Sequence, residues 1–364
     1  MPLQKLQDLV IYRDEAWYST FPSLITREDG TVLCAFRRAP DRRRWGGGVA
    51  HADPNSWCMA VSSSDNGRRF APEPTVVFAN PVAGNQDPCL FLLRDGTILC
   101  STFSWMLLPA DRAGEPNVLH AGMGWAMCNV GCSLVRSGDG GQTWSGPYGF
   151  DAPPPGAPPQ RLPNVPNRGA CRGKMTQLPD GRVLWPLYSF SGPGEPAESC
   201  VYASDDGGTT WRFQSEIARH ESIEFNETSL QLCPSGKIVA WMRTANLDGY
   251  LALAHSTDGG ETWSAWRQTS VWGHPFTSCN IPDGRVVLIY GYRREPFGVR
   301  VKLLDPECGD VEDAEELVLR TDGGNYDLGY PWVTPLADGN VLCAYYINHD
   351  DGTRYIAGSI VAVR

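Results

Sequence analysis

The chain has 364 residues, 42% of them hydrophobic, and 41 acidic against 31 basic side chains give a formal net charge of −10. That balance excludes the basic surface that nucleic-acid backbones require, and no run of 18 apolar residues marks a membrane-spanning helix. Glycine (39), proline (29) and tryptophan (13) are abundant, as in all-β chains with many tight turns, and the apolar fraction suffices for a large core.

In chain order, the start Met1-Pro-Leu-Gln-Lys-Leu-Gln-Asp8 has no signal-peptide apolar region, so a cytoplasmic protein is expected. A short strand at Leu9–Tyr12 precedes the first of six copies of an apolar–Asp-Gly–apolar pattern. The turns fall at Asp29-Gly30, Asp95-Gly96, Asp180-Gly181, Ser235-Gly236, Asp283-Gly284 and Asp338-Gly339. Each reads as a β-hairpin, two apolar runs joined by a turn with positive φ. A second motif, Ser-x-Asp-x-Gly-x-x-aromatic, follows four of them, at Ser63–Phe70, Ser137–Trp144, Ser204–Trp211 and Ser256–Trp263. Its Asp can accept hydrogen bonds from its own turn, and its aromatic can pack against the next repeat.

Two hairpins per unit make four strands, and six such units in series predict an all-β, six-bladed β-propeller of four-stranded antiparallel blades, a single domain spanning residues 1–364. The fifth unit lacks the second motif, reading Asp305-Pro-Glu-Cys-Gly-Asp310. The sixth ends after three strands, so the N-terminal strand is expected to supply the fourth and close the ring. Long loops are expected at Arg38–Ser56, Trp105–Met127 and the Pro-rich Asp151–Arg168, and loops of that length are usually functional or disordered. The 12 cysteines are scattered. Cys34, Cys100 and Cys343 close apolar runs, as buried thiols in a reducing compartment do. Cys128 and Cys132 lack the second pair that a zinc site needs, so neither a metal nor another cofactor is expected.

Strand direction places both signature turns on one face and a ligand site on the other, over the central channel. Eight residues before each turn Asp, or Ser235, stand Phe21, Asp87, Arg172, Glu227, Pro275 beside His274, and Tyr330. Eight after stand Arg37, Phe103, Tyr188, Arg243, Gly291 (with Arg293 two further on) and Tyr346. Arg, Glu, Asp and Tyr thus crowd equivalent positions where a purely structural protein would place apolar residues, which points to a site for an anionic ligand. Taken one by one, Tyr330 also fits an inter-blade packing role, Glu227 a salt-bridge partner and His274 a structural residue.

Six Asp-Gly hairpins with interleaved Ser-x-Asp boxes resemble the sialidase (neuraminidase) superfamily of six-bladed propellers. Gly329-Tyr-Pro-Trp-Val-Thr-Pro335 is similar to the family segment in which a Tyr nucleophile opens a strand, which implies that role for Tyr330. Asn226-Glu-Thr-Ser-Leu-Gln-Leu232 resembles the segment carrying the Glu that deprotonates it, which implies Glu227. Ala240-Trp-Met-Arg243 and Gly291-Tyr-Arg-Arg-Glu295 resemble segments bearing carboxylate-binding arginines, which implies Arg243 and either Arg293 or Arg294. An Asp on a loop would act as acid and base: Asp53 is the first choice, Asp41 the second and Asp87 the third. Where the family has its first triad Arg, this chain has Thr20, so Arg37 or Arg172 would fill that role or the sugar is a different one. The resemblance implies a retaining exo-glycosidase acting on sialylated or other acidic oligosaccharides, as a monomer or small homo-oligomer. A hydrolase or lyase for a uronic acid or neutral pentose, and a non-catalytic carbohydrate-binding propeller, are the alternatives.

Overall fold

Each Asp-Gly turn is closed by its own first residue. The side chain of Asp29 accepts the N–H of Thr31 at 3.0 Å, Asp180 that of Arg182 at 3.0 Å, and Ser235 that of Lys237 at 3.2 Å. Glycine follows in the left-handed region, φ 80° at Gly30 and 90° at Gly284, which a residue with a Cβ adopts at a cost. These turns set the register of the first two strands in every repeat. The structure, a computed structural model, describes residues 2–46, 51–114, 118–122, 125–148, 169–190, 195–349 and 352–364.

The result is six antiparallel sheets arranged as a β-propeller. The innermost strands of blades 1, 2, 4, 5 and 6 are Trp17–Thr26, Gly84–Leu92, Glu224–Leu232, Phe276–Asn280 and Gly329–Pro335. In blade 3 the innermost strand is broken into Gly169–Ala170 and Thr176–Gln177, each paired with Val183–Phe190. The ring closes as expected: Leu3–Tyr12 pairs antiparallel with Arg354–Val363 and forms the outer strand of blade 6. That strand has ten residues, longer than the Leu9–Tyr12 stretch its apolar pattern marks.

The expectation of a long loop over Trp105–Met127 is corrected. Blade 2's second strand runs through to Pro109 and pairs as far as Trp125, and its third strand, Trp125–Ser137, carries Val118–Gly122 as an extra strand. The Arg38–Ser56 segment holds one short 3-10 turn, Arg42–Trp45. Asp151–Arg168 lies outside the described residues. All 12 cysteines are buried free thiols. Among the described residues no helix is long and apolar enough to cross a membrane, and no group of three or more His, Cys, Asp or Glu side chains is placed to hold a metal ion.

The Ser-x-Asp boxes dock in the direction opposite to the one expected. In each, the Ser hydroxyl bonds the Asp carboxylate, and that carboxylate accepts two N–H groups of the turn, as Asp65 does from Arg68 at 3.1 Å and Arg69 at 2.8 Å. The box aromatic then packs on the preceding blade. Trp211 of blade 3 joins Leu93, Leu99 and Leu134 of blade 2, Trp144 of blade 2 joins Leu33 of blade 1, and Phe70 of blade 1 reaches Leu342 and Ile360 of blade 6. Even the altered fifth box follows the rule, with Cys308 packed beside Val239 and Trp241 of blade 4. A strand pair bends back at the box, so the aromatic beyond the turn is carried outward over the neighbour already laid down.

Trp211 is completely buried against Trp185, ring centroids 5.1 Å apart. Trp211→Ala is expected to cost about 3–5 kcal/mol of unfolding free energy, read from denaturant midpoints at unchanged slope.

Candidate functional site

A side chain on a flat strand points out of the sheet, not along it. Four of the innermost strands nevertheless aim residues at the propeller axis, each at one break in register. In blades 1, 2 and 6 the ladder skips a residue pair between Thr20 and Ser23, between Gln86 and Cys89, and between Gly329 and Trp332. The skipped pairs are Phe21-Pro22, Asp87-Pro88 and Tyr330-Pro331. Phe21, Asp87 and Tyr330 have φ of 57°, 35° and 46°, unusual for residues with a side chain. The following proline has no N–H to leave unpaired, so the bulge breaks the ladder without orphaning a donor. Blade 4 makes the same break between Phe225 and Thr228 without a proline, and it turns Glu227 inward.

The bulges bring Tyr330 and Glu227 together. The Tyr330 hydroxyl donates to Glu227 Oε1, and Arg243 Nη1 donates both to Glu227 Oε2 and, at 2.9 Å, to the Tyr330 oxygen. Burial raises the Tyr330 pKa well above that of free tyrosine, and the Glu227 charge raises it further, while Arg243 and Arg293 pull it down. The phenol is therefore held in its protonated form. Burial works against the Arg243 charge, but Glu227 and Tyr330 hold its pKa above the usual arginine value. His274 completes this corner: Arg243 Nε donates to its Nδ1 at 2.8 Å. Burial, then the charges of Arg243, Arg293 and Arg294, push the His274 pKa down to about 3, so the ring is a neutral acceptor that orients Arg243.

Arg293 rather than Arg294 faces the site. Its guanidinium lies 5.0 Å from the Tyr330 ring centroid and bonds Leu328 O and the Tyr346 hydroxyl at 3.0 Å each. Arg294 lies instead over Trp272, at 4.4 Å. Tyr346 links Arg293 to a buried carboxylate that sequence reasoning missed. Asp327 accepts from Tyr346 at 2.8 Å, Tyr18 at 3.1 Å and Arg354 Nε at 2.9 Å. His51 stands 3.6 Å from the same carboxylate, stacked on Phe21. Asp327 and Arg354 fall outside the two register positions read from the sequence, and only Asp327's place three residues before Tyr330 hinted at it.

The remaining expected residues divide into two sets. Arg37 and Arg172, expected as substrate-binding groups, are wholly buried and donate to main-chain carbonyls. Arg37 donates to Asn85 O at 3.1 Å and His51 O at 2.6 Å. Arg172 crosses the channel from blade 3 and donates to Tyr330 O at 2.6 Å, Pro22 O at 2.9 Å and Phe21 O at 3.4 Å. It thereby ties down two of the three positive-φ bulges. Next to it, a Cβ on Gly173 would come within 1.8 Å of Thr228 O, so glycine is required for blade 3 to approach the Glu227 strand so closely.

Among the three candidate acids, two are sequestered. Asp53 is 1% exposed and is gripped by Arg42 through both carboxylate oxygens. Asp41 is gripped by Arg43 and caps the Arg42–Trp45 turn. Asp53, the first choice by its loop position, is thus buried and ion-paired here. Asp87 differs. Burial drives its pKa up to about 7, against the pull of Arg172, with Glu227 adding to the rise. Its charge bears on Tyr330 and Glu227, and it stands on the same kind of bulge as Tyr330.

Comparison with known proteins fits this architecture. Residues 117–343 match the family described as BNR repeat-like domain. A crystallised protein of unknown function from Dyadobacter fermentans DSM 18053 is similar over 100% of both chains at 39% identity, with a TM-score of 0.90. The Hadza microbial sialidase Hz136 shares the fold at 17% identity, with a TM-score of 0.67 over 94% of this chain and 65% of that one. An intramolecular trans-sialidase from Ruminococcus gnavus shares it at 16% identity and a TM-score of 0.63, over 95% and 94% of the two chains. No curated protein sequence matches this chain.

Arg172→Met would leave the Phe21, Pro22 and Tyr330 carbonyls without their donor. A loss of about 3 kcal/mol or more is expected, at about 1–3 kcal/mol for each buried group left unpaired, measured by denaturant unfolding. Unchanged stability would show that the strut is dispensable.

Proposed function

The chain belongs to the BNR repeat-like family of sialidase-like propellers, and from that premise we propose that it is a retaining exo-glycosidase removing a terminal acidic sugar of the sialic acid type. The observation that carries this reading is the Tyr330–Glu227–Arg243 set, a buried phenol hydrogen-bonded to a carboxylate that can take its proton. Isolated buried tyrosines are common, whereas one sharing its hydroxyl with a carboxylate and a guanidinium is built to lose a proton under control.

In the proposed reaction Tyr330 Oη attacks the anomeric carbon while Glu227 takes its proton, and Asp87 protonates the departing glycosidic oxygen. A glycosyl–tyrosine intermediate results. Water, activated by the ionised Asp87, then attacks the same carbon, and Tyr330 leaves with the proton returned from Glu227. Two displacements give net retention. Tyrosine suits a sugar whose carboxylate sits on the reacting carbon, since a carboxylate nucleophile would be repelled by it. Arg243 and Arg293 flank the phenol and are the groups proposed to bind that carboxylate. No step in this scheme calls on a metal or a redox cofactor.

Thr20 favours a second reading. It occupies the place of a third arginine, is fully buried, and pairs across the strand with Arg37. With two facing arginines in place of three, a different sugar, a uronic acid or a neutral pentose, is the alternative substrate. A panel of fluorogenic aryl glycosides separates the two readings: turnover of the α-sialoside supports the first, and turnover of a uronide or pentoside alone supports the second. Binding without turnover of any member would contradict both.

Two further outcomes are expected with the turned-over substrate. Tyr330→Phe removes the nucleophile and should lower kcat by orders of magnitude with the fold intact by circular dichroism. Asp87→Asn should lower kcat by about 10²–10⁴-fold, the usual contribution of a general acid. Because the folded Asp87 pKa is raised to about 7, its acid form is present below that pH and disappears above it. The wild-type rate should therefore fall as pH rises through about 7. The same sign holds for stability: the neutral buried carboxyl favours the fold at low pH, and that contribution is lost as pH rises towards and through about 7.

A further inference from the structure

Residue 174 lies two positions beyond the Arg172 strut and does not reach the catalytic face. Its main chain is held against blade 4, with Lys174 N donating to Ser229 Oγ at 3.1 Å and Leu230 N donating to Lys174 O at 2.9 Å. The side chain turns the other way and crosses to blade 5, where Nζ donates to Ser278 O at 2.8 Å. It enters a cavity of about 250 Å³ on the axis, bounded by Thr26, Leu92, Asn280, Trp332 and Pro335. Most of these residues lie at the ends of innermost strands, next to the Asp-Gly turns. The cavity is therefore the turn-side half of the central channel. Above it the Trp332 ring stacks under the Arg172 guanidinium, 5.2 Å away, between this cavity and the Tyr330 site.

The electrostatics of the cavity are one-sided. Among the described residues, Lys174 is the single charged one lining it. Burial pulls its pKa down, while the thiols of Cys279 and Cys308 act in the other direction. Lys174 is half-buried, and no carboxylate stands among the described residues that line the cavity with it. Around it, the innermost strands are hydrogen-bonded within their sheets on one edge only, so their free edges turn main-chain N–H and C=O groups alike towards the axis. The Thr26 and Thr334 hydroxyls, 3.0 Å apart, share one hydrogen bond and leave a second proton to donate. An ammonium and a hydroxyl donor lining one small space are the chemistry of an anion site.

We propose that the turn-side half of the central channel binds a small inorganic anion, a halide or an oxyanion, on Lys174 Nζ. The anion supplies the charge the fold leaves out and cross-braces blades 3 and 5 beneath the Arg172 strut. The site is separate from the glycosidase reading and stands or falls without it.

The test is thermal unfolding of the full chain at constant ionic strength, with gluconate as the bulky reference anion replaced stepwise by chloride, nitrate or inorganic phosphate. A ligand bound by the folded state alone raises Tm with a saturable dependence on its concentration. Wild type should show a saturable rise of a few degrees with at least one of the three, which also tells halide from oxyanion. Lys174→Met should show none. A second measurement needs no variant: in crystals grown in bromide, an anomalous peak is expected in contact with Lys174 Nζ. Equal Tm responses in wild type and Lys174→Met, no saturable response in wild type, or bromide crystals without that peak would overturn the proposal.

Discussion

A propeller brings its innermost strands edge-on to the axis, while strand geometry sends side chains above and below the sheet. A regular innermost strand therefore points no residue at the centre, and Tyr330, Glu227 and Asp87 each depend on a place where the strand stops being regular. Phe21-Pro22, Asp87-Pro88 and Tyr330-Pro331 are the same device used three times. A positive φ swings one residue inward, and a proline follows where a ladder N–H would otherwise be stranded. Such conformations are held only when their surroundings over-determine them. Arg172 does this for blades 1 and 6 by capturing the carbonyls of both bulges from across the channel.

The buried arginines belong to one arrangement with two layers. Those at the centre, Arg37 and Arg172, face main-chain oxygens and make the scaffold rigid. Those around Tyr330, Arg243 and Arg293, are held through one edge, by His274 in the first case and by Leu328 O in the second. Orientation by a neutral imidazole has a particular consequence. The ring accepts from Arg243 without cancelling its charge, so the guanidinium keeps its full positive field for Glu227 and the Tyr330 hydroxyl. Asp327 plays the matching part on the opposite flank, where it gathers Tyr18, Tyr346 and Arg354 and fixes the hydroxyl that Arg293 touches.

Much of this was legible in the sequence because repetition supplied an internal ruler. Six Asp-Gly turns number the blades, and counting from them picks out Tyr330, Glu227, Arg243 and Asp87 at equivalent places. The ruler failed where side-chain length mattered. Arg37 and Arg172 occupy the right register, but a long side chain on an inner strand reaches past the site to carbonyls on other blades, and register cannot show that. Asp53 looked available on its loop because its partner Arg42, eleven residues earlier, is an equally unremarkable loop residue. Asp327 precedes the inner strand and so fell between the counted positions. One signal was present and unread: proline immediately after the inward residue in blades 1, 2 and 6 marks the bulges directly. The box aromatics were assigned the wrong neighbour because the sequence fixes their spacing but carries no sense of which way the ring of blades is wound.

If Tyr330 is the proposed nucleophile, a covalent glycosyl intermediate on its Oη can be trapped. Incubation of the wild-type chain with 2,3-difluorosialic acid, followed by intact-mass and peptide-level mass spectrometry, should give one fluorosialyl adduct per chain, located on Tyr330 and absent from Tyr330→Phe. An adduct on another residue, or steady turnover of a sialoside by a chain that never forms one on Tyr330, would contradict it.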